Sequence, residues 1–395
     1  MLKVPFSRVT CSNTELQYIK EVLESGWLTT AGKTHEFEKR FARKVEAKYA
    51  CAVNSCTAAL HLGLEALNVK AGDKVFVPAM TFTASAEVVR YLNADPIFLD
   101  VDYHTRILTP DILEKAISQN PDVKVLILVH FGGHPADMLG ENGILEICKR
   151  NGIRILEDAA HAFPTRLGSQ WIGSIGDITC FSFYANKTIT TGEGGMLTTN
   201  DEDLYKRVKV MRLHGINRDV WDRYTSDKAS WEYDVIAPGY KYNMPDINAA
   251  IGLAQLEDAE KFHKGRMSAV KFYLNELQGI TGLVLPVCHI PLEEHAWHLF
   301  PIILTPESNI ERNSFIEKMI QLGIGTSVHY KPLYRMSYYK ERYDLQPLDF
   351  PNSERIWKGT VSLPLFPSMN NDDLNFVCSS IKAILKKARL KITSE

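Results

Sequence analysis

No stretch of this chain reaches the roughly twenty consecutive apolar residues that a membrane-spanning helix requires. Its first residues, Met1-Leu-Lys-Val-Pro-Phe-Ser7, also lack the charged-then-apolar order of a secretory signal. Both absences predict a cytoplasmic protein. Net charge is nearly absent as well: at −2 there is no global field to draw in nucleic acid or an anionic membrane, so any anionic ligand must be held by local groups. The seven cysteines, Cys11, Cys51, Cys56, Cys148, Cys180, Cys288 and Cys378, are odd in number, and none is spaced C-x-x-C. Several lie in apolar runs, as reduced buried thiols do, which argues against a disulfide framework or a zinc site. His130-Phe-Gly-Gly-His134 and His295-Ala-Trp-His298 are only loosely spaced like metal ligands. Two glycines oppose a helix in the first and neither has an acidic or Cys partner nearby, so no metal is expected. Internal repeats and low-complexity tracts are missing too.

What is present is an ordinary globular composition, 45% hydrophobic, over 395 residues. That length exceeds the usual single core and predicts two domains. Ser12 or Asn13 is placed to cap a helix over Thr14–Ser25 that Gly26 stops, and Thr34 to cap a second over His35–Lys48. Apolar runs then follow at Ala50–Val53, Val75–Val77, Pro96–Leu99, Val125–Val129, Ile153–Leu156, Ile178–Phe183 and Met196–Thr199. Helical patterns at Ala58–Leu67, Ala84–Leu92, Pro110–Ser118 and Leu139–Arg150 are interleaved with them. Such alternation predicts an α/β fold with a largely parallel, seven-stranded sheet between helices. Beyond Leu204–Leu213 an irregular, aromatic stretch runs from His214 through Trp221, Trp231 and Tyr233 to Tyr242, and a stretch so long without regular structure reads as a functional loop. After the helical pattern of Asp246–Leu256 the character changes. A helix to about Leu277, strands at Leu299–Leu304 and Thr326–His329, and helices at Ile310–Leu322 and Asp372–Lys387 predict a smaller α+β domain. The expected division is 1–258 and 259–395.

The richest segment is Phe181-Ser-Phe-Tyr-Ala-Asn-Lys187-Thr-Ile-Thr-Thr-Gly-Glu-Gly-Gly195, with Glu157-Asp158-Ala-Ala-His161 upstream. A lysine amine forms a Schiff base with an aldehyde, and a carboxylate keeps a pyridine nitrogen protonated so that its ring accepts electrons. Asp158 ends one apolar run and Lys187 follows another, and strand ends are where open α/β sheets place ligands. Either residue alone reads as a helix cap or a surface charge. The carboxylate-then-lysine order, Ser182 five residues before the lysine, and the Gly192–Gly195 loop together point to pyridoxal 5'-phosphate. Asn54-Ser-Cys-Thr-Ala-Ala59, between a strand and a helix, suits an anion at a helix N-terminus as well as it suits an ordinary cap. Phe82, at the next strand-to-helix turn, is placed either to stack on a flat ring or to join the core.

With these motifs the chain resembles the DegT (DegT/StrS type) family of sugar-nucleotide aminotransferases, fold type I enzymes that use pyridoxal phosphate. The resemblance runs from Pro5 to the last helix through Glu24-Ser-Gly-Trp-Leu28, Asn54–Ala58, Glu157–His161, the lysine loop, Gly239-Tyr-Lys-Tyr-Asn243 and Val328-His-Tyr-Lys-Pro332. Gly239–Ala250 and His295–Phe300 are similar to segments of UDP-4-amino-4-deoxy-L-arabinose aminotransferases, and His329–Tyr334 to other C4 sugar aminotransferases. The resemblance implies Lys187 as the covalent anchor and general acid/base, Asp158 as partner of the ring nitrogen, and His161 beside the ring hydroxyl. It further implies Ser182, Cys56, Thr57 and Ala58 around the phosphate and Phe82 stacked on the ring. Either Lys241 or Asn243 would reach the phosphate of a partner subunit in a homodimer with shared sites; many relatives read Gly-Tyr-Asn where this chain has Gly239-Tyr240-Lys241. His329, Lys331, Lys33 and Tyr184 are the residues expected near a nucleotide-sugar substrate, with Arg335 as a further cation and L-glutamate as donor. His329 suits a structural role equally. The acceptor implied is a UDP- or dTDP-linked 4-keto sugar. Sugar dehydratases of the same fold are expected to carry histidine in place of the lysine, so Lys187 argues against that chemistry. A C3 aminotransferase and a non-catalytic binder of the cofactor are the remaining alternatives.

Overall fold

The computed structural model describes residues 2–217 and 233–392, with side chains through residue 390. Trp221 and Trp231 of the expected aromatic loop therefore lie outside the described residues.

Seven five-residue strands, β1 (Tyr49–Val53), β2 (Lys74–Pro78), β3 (Asp95–Leu99), β4 (Val125–Val129), β5 (Arg154–Asp158), β8 (Ile178–Ser182) and β9 (Gly195–Thr199), form one sheet. Its order is β1-β9-β8-β5-β4-β2-β3. β9 alone runs antiparallel to both neighbours, so the other six strands point the same way. A short hairpin, β6 (Arg166–Leu167) with β7 (Gln170–Trp171), sits between β5 and β8 in the chain. The strands are near-continuous apolar runs because helices cover both faces. One face packs Phe37, Phe41, Phe181 and Phe183 under α2 (Gly32–Lys44); the other packs α3 (Cys56–Ala66) and α4 (Ala84–Tyr91) through Leu60, Leu64, Val88 and Val89.

The expected caps fare unequally. In α1 (Asn13–Ser25) Ser12 and Glu15 form a reciprocal capping box, and Gly26 closes the helix at φ 72°. For α2 the expectation is corrected: the helix starts at Gly32, and Thr34 lies inside it. A carboxylate far along the chain supplies the cap. Asp246 accepts from the N–H groups of Ala31, Lys33 and Thr34 at 2.8, 3.0 and 3.0 Å, and from the Thr34 hydroxyl at 2.6 Å. The helix ends at Lys44 rather than Lys48, as Glu46 turns left-handed (φ 55°) toward β1. The pattern over Leu139–Arg150 shortens to Ile144–Arg150, with Gly140 at φ 91° and Gly143 just ahead of it.

Beyond Asp246–Glu257 and Ala259–Leu277, a second sheet is built from β10 (Leu283–Val284), β11 (Phe300–Leu304) and β12 (Thr360–Leu363), all antiparallel. Phe300, Ile302, Phe315, Val361 and Val377 form its core with helices Arg312–Gln321 and Asn371–Ile392. Thr326–His329, expected as a strand, makes only the isolated Ser327–Ser362 bridge. The neighbour there is β12, too short and too close behind a helix to stand out in the sequence. Val4 belongs to this second core while Phe6 packs against the first, so the N-terminal segment touches both.

Candidate active site

Parallel strands deliver their C-terminal ends to one edge, and there a cavity of 460 Å³ opens. Ser55–Thr57 follow β1, Thr81 and Phe82 follow β2, Asp158 ends β5 with His161 just beyond it, and Lys187 follows β8. His329 and Tyr330, from the chain's last third, complete the wall.

Asp158 is held at both oxygens. Oδ2 accepts from the Ser85 hydroxyl at 2.7 Å, and Oδ1 from the Ala160 N–H at 3.2 Å. Because the one Ser85 proton is used there, the 2.9 Å contact between Thr81 and Ser85 has Thr81 as donor. The result is a fixed, buried carboxylate facing the cavity. Lys187 comes from a tight turn, its N–H donating to the Tyr184 carbonyl at 2.9 Å. Burial brings its ammonium from 10.5 down to about 8, against the upward pull of Cys56 and Asp158. Gly192, at φ 78°, permits the return of the chain. Gly195 has no room for a side chain, since a Cβ would lie 2.5 Å from the Ser55 carbonyl and 2.7 Å from the Cys56 nitrogen.

At the start of α3 the Ser55 hydroxyl accepts from the Ala58 N–H at 3.0 Å. Ala58 thus uses its amide in the cap, while Cys56 and Thr57, the first two residues of the helix, line the cavity, where a helix start favours an anion. Phe82 is 55% exposed, a large apolar face turned toward the cavity instead of into the core. His161 accepts at Nδ1 from the Gly132 N–H, 3.1 Å, and meets the Tyr330 hydroxyl at Nε2, 3.0 Å. Burial, with Lys187 and His329 adding to it, holds His161 well below the usual imidazole range. His329 bonds Ser362 at 2.8 Å and stacks on Phe6 at 5.6 Å; burial and Lys187 bring it down to about 4.

A nucleophilic amine of lowered basicity, a clamped carboxylate, an open aromatic face and a helix start are the groups pyridoxal phosphate requires. Comparison with known proteins agrees. The model of the DegT/DnrJ/EryC1/StrS aminotransferase family matches residues 10–382. The chain belongs to that family. It is 42% identical over 387 residues to the spore coat polysaccharide biosynthesis protein SpsC of Bacillus subtilis, covering 98% of each chain. To the uncharacterized protein MJ1066 of Methanocaldococcus jannaschii it is 41% identical over 389 residues, again covering 98% of each. Among solved structures, the putative sugar aminotransferase Spr1654 of Streptococcus pneumoniae in its PMP-form matches with a TM-score of 0.88 at 31% identity, over 98% of this chain and 100% of that one. Its PLP-form matches with a TM-score of 0.87 at 30% identity, over 98% of this chain and 99% of that one. This DegT-family chain is therefore a sugar aminotransferase that uses pyridoxal phosphate.

Of the residues read from the DegT-family motifs, Lys187, Asp158, His161, Ser182, Cys56, Thr57, Phe82, Tyr184 and His329 line this cavity, whereas Ala58 is buried and not among its lining residues. Four cations are not among the lining residues. Lys33 pairs with Glu21 at 2.7 Å and lies over the Tyr18 ring; Arg335 is bound by Glu354 at 2.8 and 2.5 Å; Lys331 is exposed; Lys241 donates to Asn243 at 2.5 Å, and Asn243 to Thr30 at 2.7 Å. Ser85, Thr81 and Tyr330 were not singled out in the sequence. Ser85 sits in the first turn of a helix, where a serine reads as a cap. Tyr330 meets His161 across 169 positions, and only the similarity of Val328–Pro332 to relatives marked its segment. No group of three or more His, Cys, Asp or Glu side chains is placed to hold a metal ion, and no helix is long and apolar enough to cross a membrane, among the described residues.

Proposed function

We propose that this enzyme moves the amino group of L-glutamate onto C4 of a 4-keto sugar carried on UDP or dTDP, supplying a surface glycan or related glycoconjugate from the cytoplasm. The reading rests above all on His295–Phe300, similar to C4 aminotransferases and lying against the cavity. His298 packs on His161 at 4.4 Å between ring centroids, and the His298 and Leu299 amides donate to the Gly132 carbonyl at 3.0 and 3.2 Å. The polysaccharide role in the name of SpsC supports the same destination.

When bound, the cofactor supplies an aldehyde carbon and a ring that takes up electrons as a proton leaves the donor. The chain's own residues do the rest. Lys187, its amine lowered to about 8 by burial, anchors the cofactor and moves the proton as general base and acid. Asp158, oriented by Ser85, sets a negative pole at the ring nitrogen. Phe82 covers the ring face and excludes water. Tyr184, 47% exposed at the mouth, and Lys331 beside Tyr330 lie where a nucleotide-linked sugar would enter.

Charge supports a shared site. Among the described residues lining the cavity, Lys187 is the only lysine or arginine, yet cofactor, donor and diphosphate are all anionic. Lys241 and Asn243, on a segment bridged to the end of β1, are the groups we assign to the phosphate of a second copy's site. A coupled assay over UDP-, dTDP- and GDP-linked keto sugars tests the acceptor. Turnover with a 4-keto sugar on UDP or dTDP is expected; equal turnover with the free sugar contradicts the proposal.

A further inference from the structure

The family resemblance implies His161 beside the cofactor's ring hydroxyl, but its hydrogen bonds leave it no free donor. A backbone N–H can only donate, so the 3.1 Å contact from Gly132 makes Nδ1 an acceptor. The ring's single proton then resides on Nε2 and is given to the Tyr330 oxygen, 3.0 Å away. Burial keeps His161 from taking a second proton near neutral pH, so the direction of this bond is set. Tyr330 consequently accepts from His161, and its own proton must go elsewhere. Its hydroxyl has no other partner among the described residues, while the residue lines the cavity. The phenol ring is held between Phe82 at 5.8 Å and Phe131 at 6.1 Å, which allows little freedom of aim.

From this geometry we infer that Tyr330, oriented by Gly132 and His161, is the hydrogen-bond donor to the phenolic oxygen of the bound pyridoxal phosphate ring. His161 is then a positioning residue and Tyr330 a catalytic one. The location fits. His161 stands three residues beyond Asp158 on the same turn, and the Asp158 charge adds to burial in pushing the Tyr330 phenol upward. The hydroxyl thus shares the cavity with Asp158, whose charge reaches it. A donor at that oxygen stabilises its anionic form in both halves of the reaction, whichever sugar is used.

Tyr330→Phe keeps the ring and removes the proton. In the full-length enzyme with pyridoxal phosphate and no substrate, the variant is expected to bind the cofactor about tenfold more weakly and to show a displaced visible absorbance maximum, with an unchanged melting temperature. His161→Phe removes the group that aims the hydroxyl and should displace the band in the same sense. The double variant should go no further than the single ones, since the pair acts as one unit. Unchanged affinity and spectrum in Tyr330→Phe overturn the inference. So does an unchanged spectrum with only a raised KM for the sugar, which assigns the hydroxyl to substrate, and so do additive effects in the double variant. Because no sugar is present in the binding measurement, a wrong acceptor assignment cannot imitate any of its results.

Discussion

In the proposed mechanism Lys187 carries the reaction's proton, and burial brings its amine to about 8 from the ordinary 10.5. A depressed ammonium is deprotonated earlier as pH rises, so cofactor-free protein mixed with pyridoxal phosphate and trapped with borohydride should label Lys187 with a midpoint near pH 8. Exposed lysines label only at higher pH. An adduct mapped to another lysine, or a midpoint above 10, contradicts the assignment. Asp158 acts by charge, so Asp158→Asn should retain the fold and lose about a hundredfold or more in rate. Near-wild-type turnover in that variant removes the carboxylate from its role. Both residues were legible in the sequence, because an acid at the end of one apolar run and a lysine after another are local patterns. Tyr330 and Ser85 were not. Their roles arise from partners 169 and 73 positions away, and nothing in the local chemistry of a tyrosine or a helix-start serine records such a partner.

Strands were read to within a residue or two at each end across the main sheet, since buried parallel strands declare themselves as apolar runs bounded by turns. Helix α1 was equally legible, its capping box and terminal glycine being contiguous in sequence. Where a cap came from afar, as Asp246 does for α2, the start was misplaced. The loop from β8 to β9 and the start of α3 form one device: Gly195 lets β9 pass against Ser55 and Cys56, which line the cavity. A methyl group there meets backbone atoms that cannot rotate away. Gly195→Ala is therefore expected to destabilise the protein by about 1–3 kcal/mol and to weaken cofactor binding, measured by thermal melting and by equilibrium dialysis. Unimpaired cofactor affinity separates the glycine from phosphate binding.

On the scale of the whole molecule, the cavity lies at the C-terminal ends of β1, β2, β5 and β8, and His329 and Tyr330 from the chain's last third supply its other side. The expected cations beside it lie elsewhere: Lys33 and Arg335 are drawn to Glu21 and Glu354, pairings between separate segments that spacing alone does not reveal. The resulting shortage of positive charge is what makes a second copy necessary in this account. Lys187→Ala and the double change Lys241→Ala with Asn243→Ala should each be inactive, and mixing them should restore part of the activity through hybrid sites. A fully active monomer in sedimentation contradicts sharing.

The central claim is a transfer of nitrogen from glutamate to C4 of a nucleotide-linked sugar. It is tested most directly by incubating the enzyme with 15N-labelled glutamate and a UDP- or dTDP-linked 4-keto sugar, then locating the label by NMR. The account predicts 15N at C4 of the sugar with an equal yield of 2-oxoglutarate; label at C3, or label on unlinked sugar as readily as on the nucleotide-linked one, contradicts it.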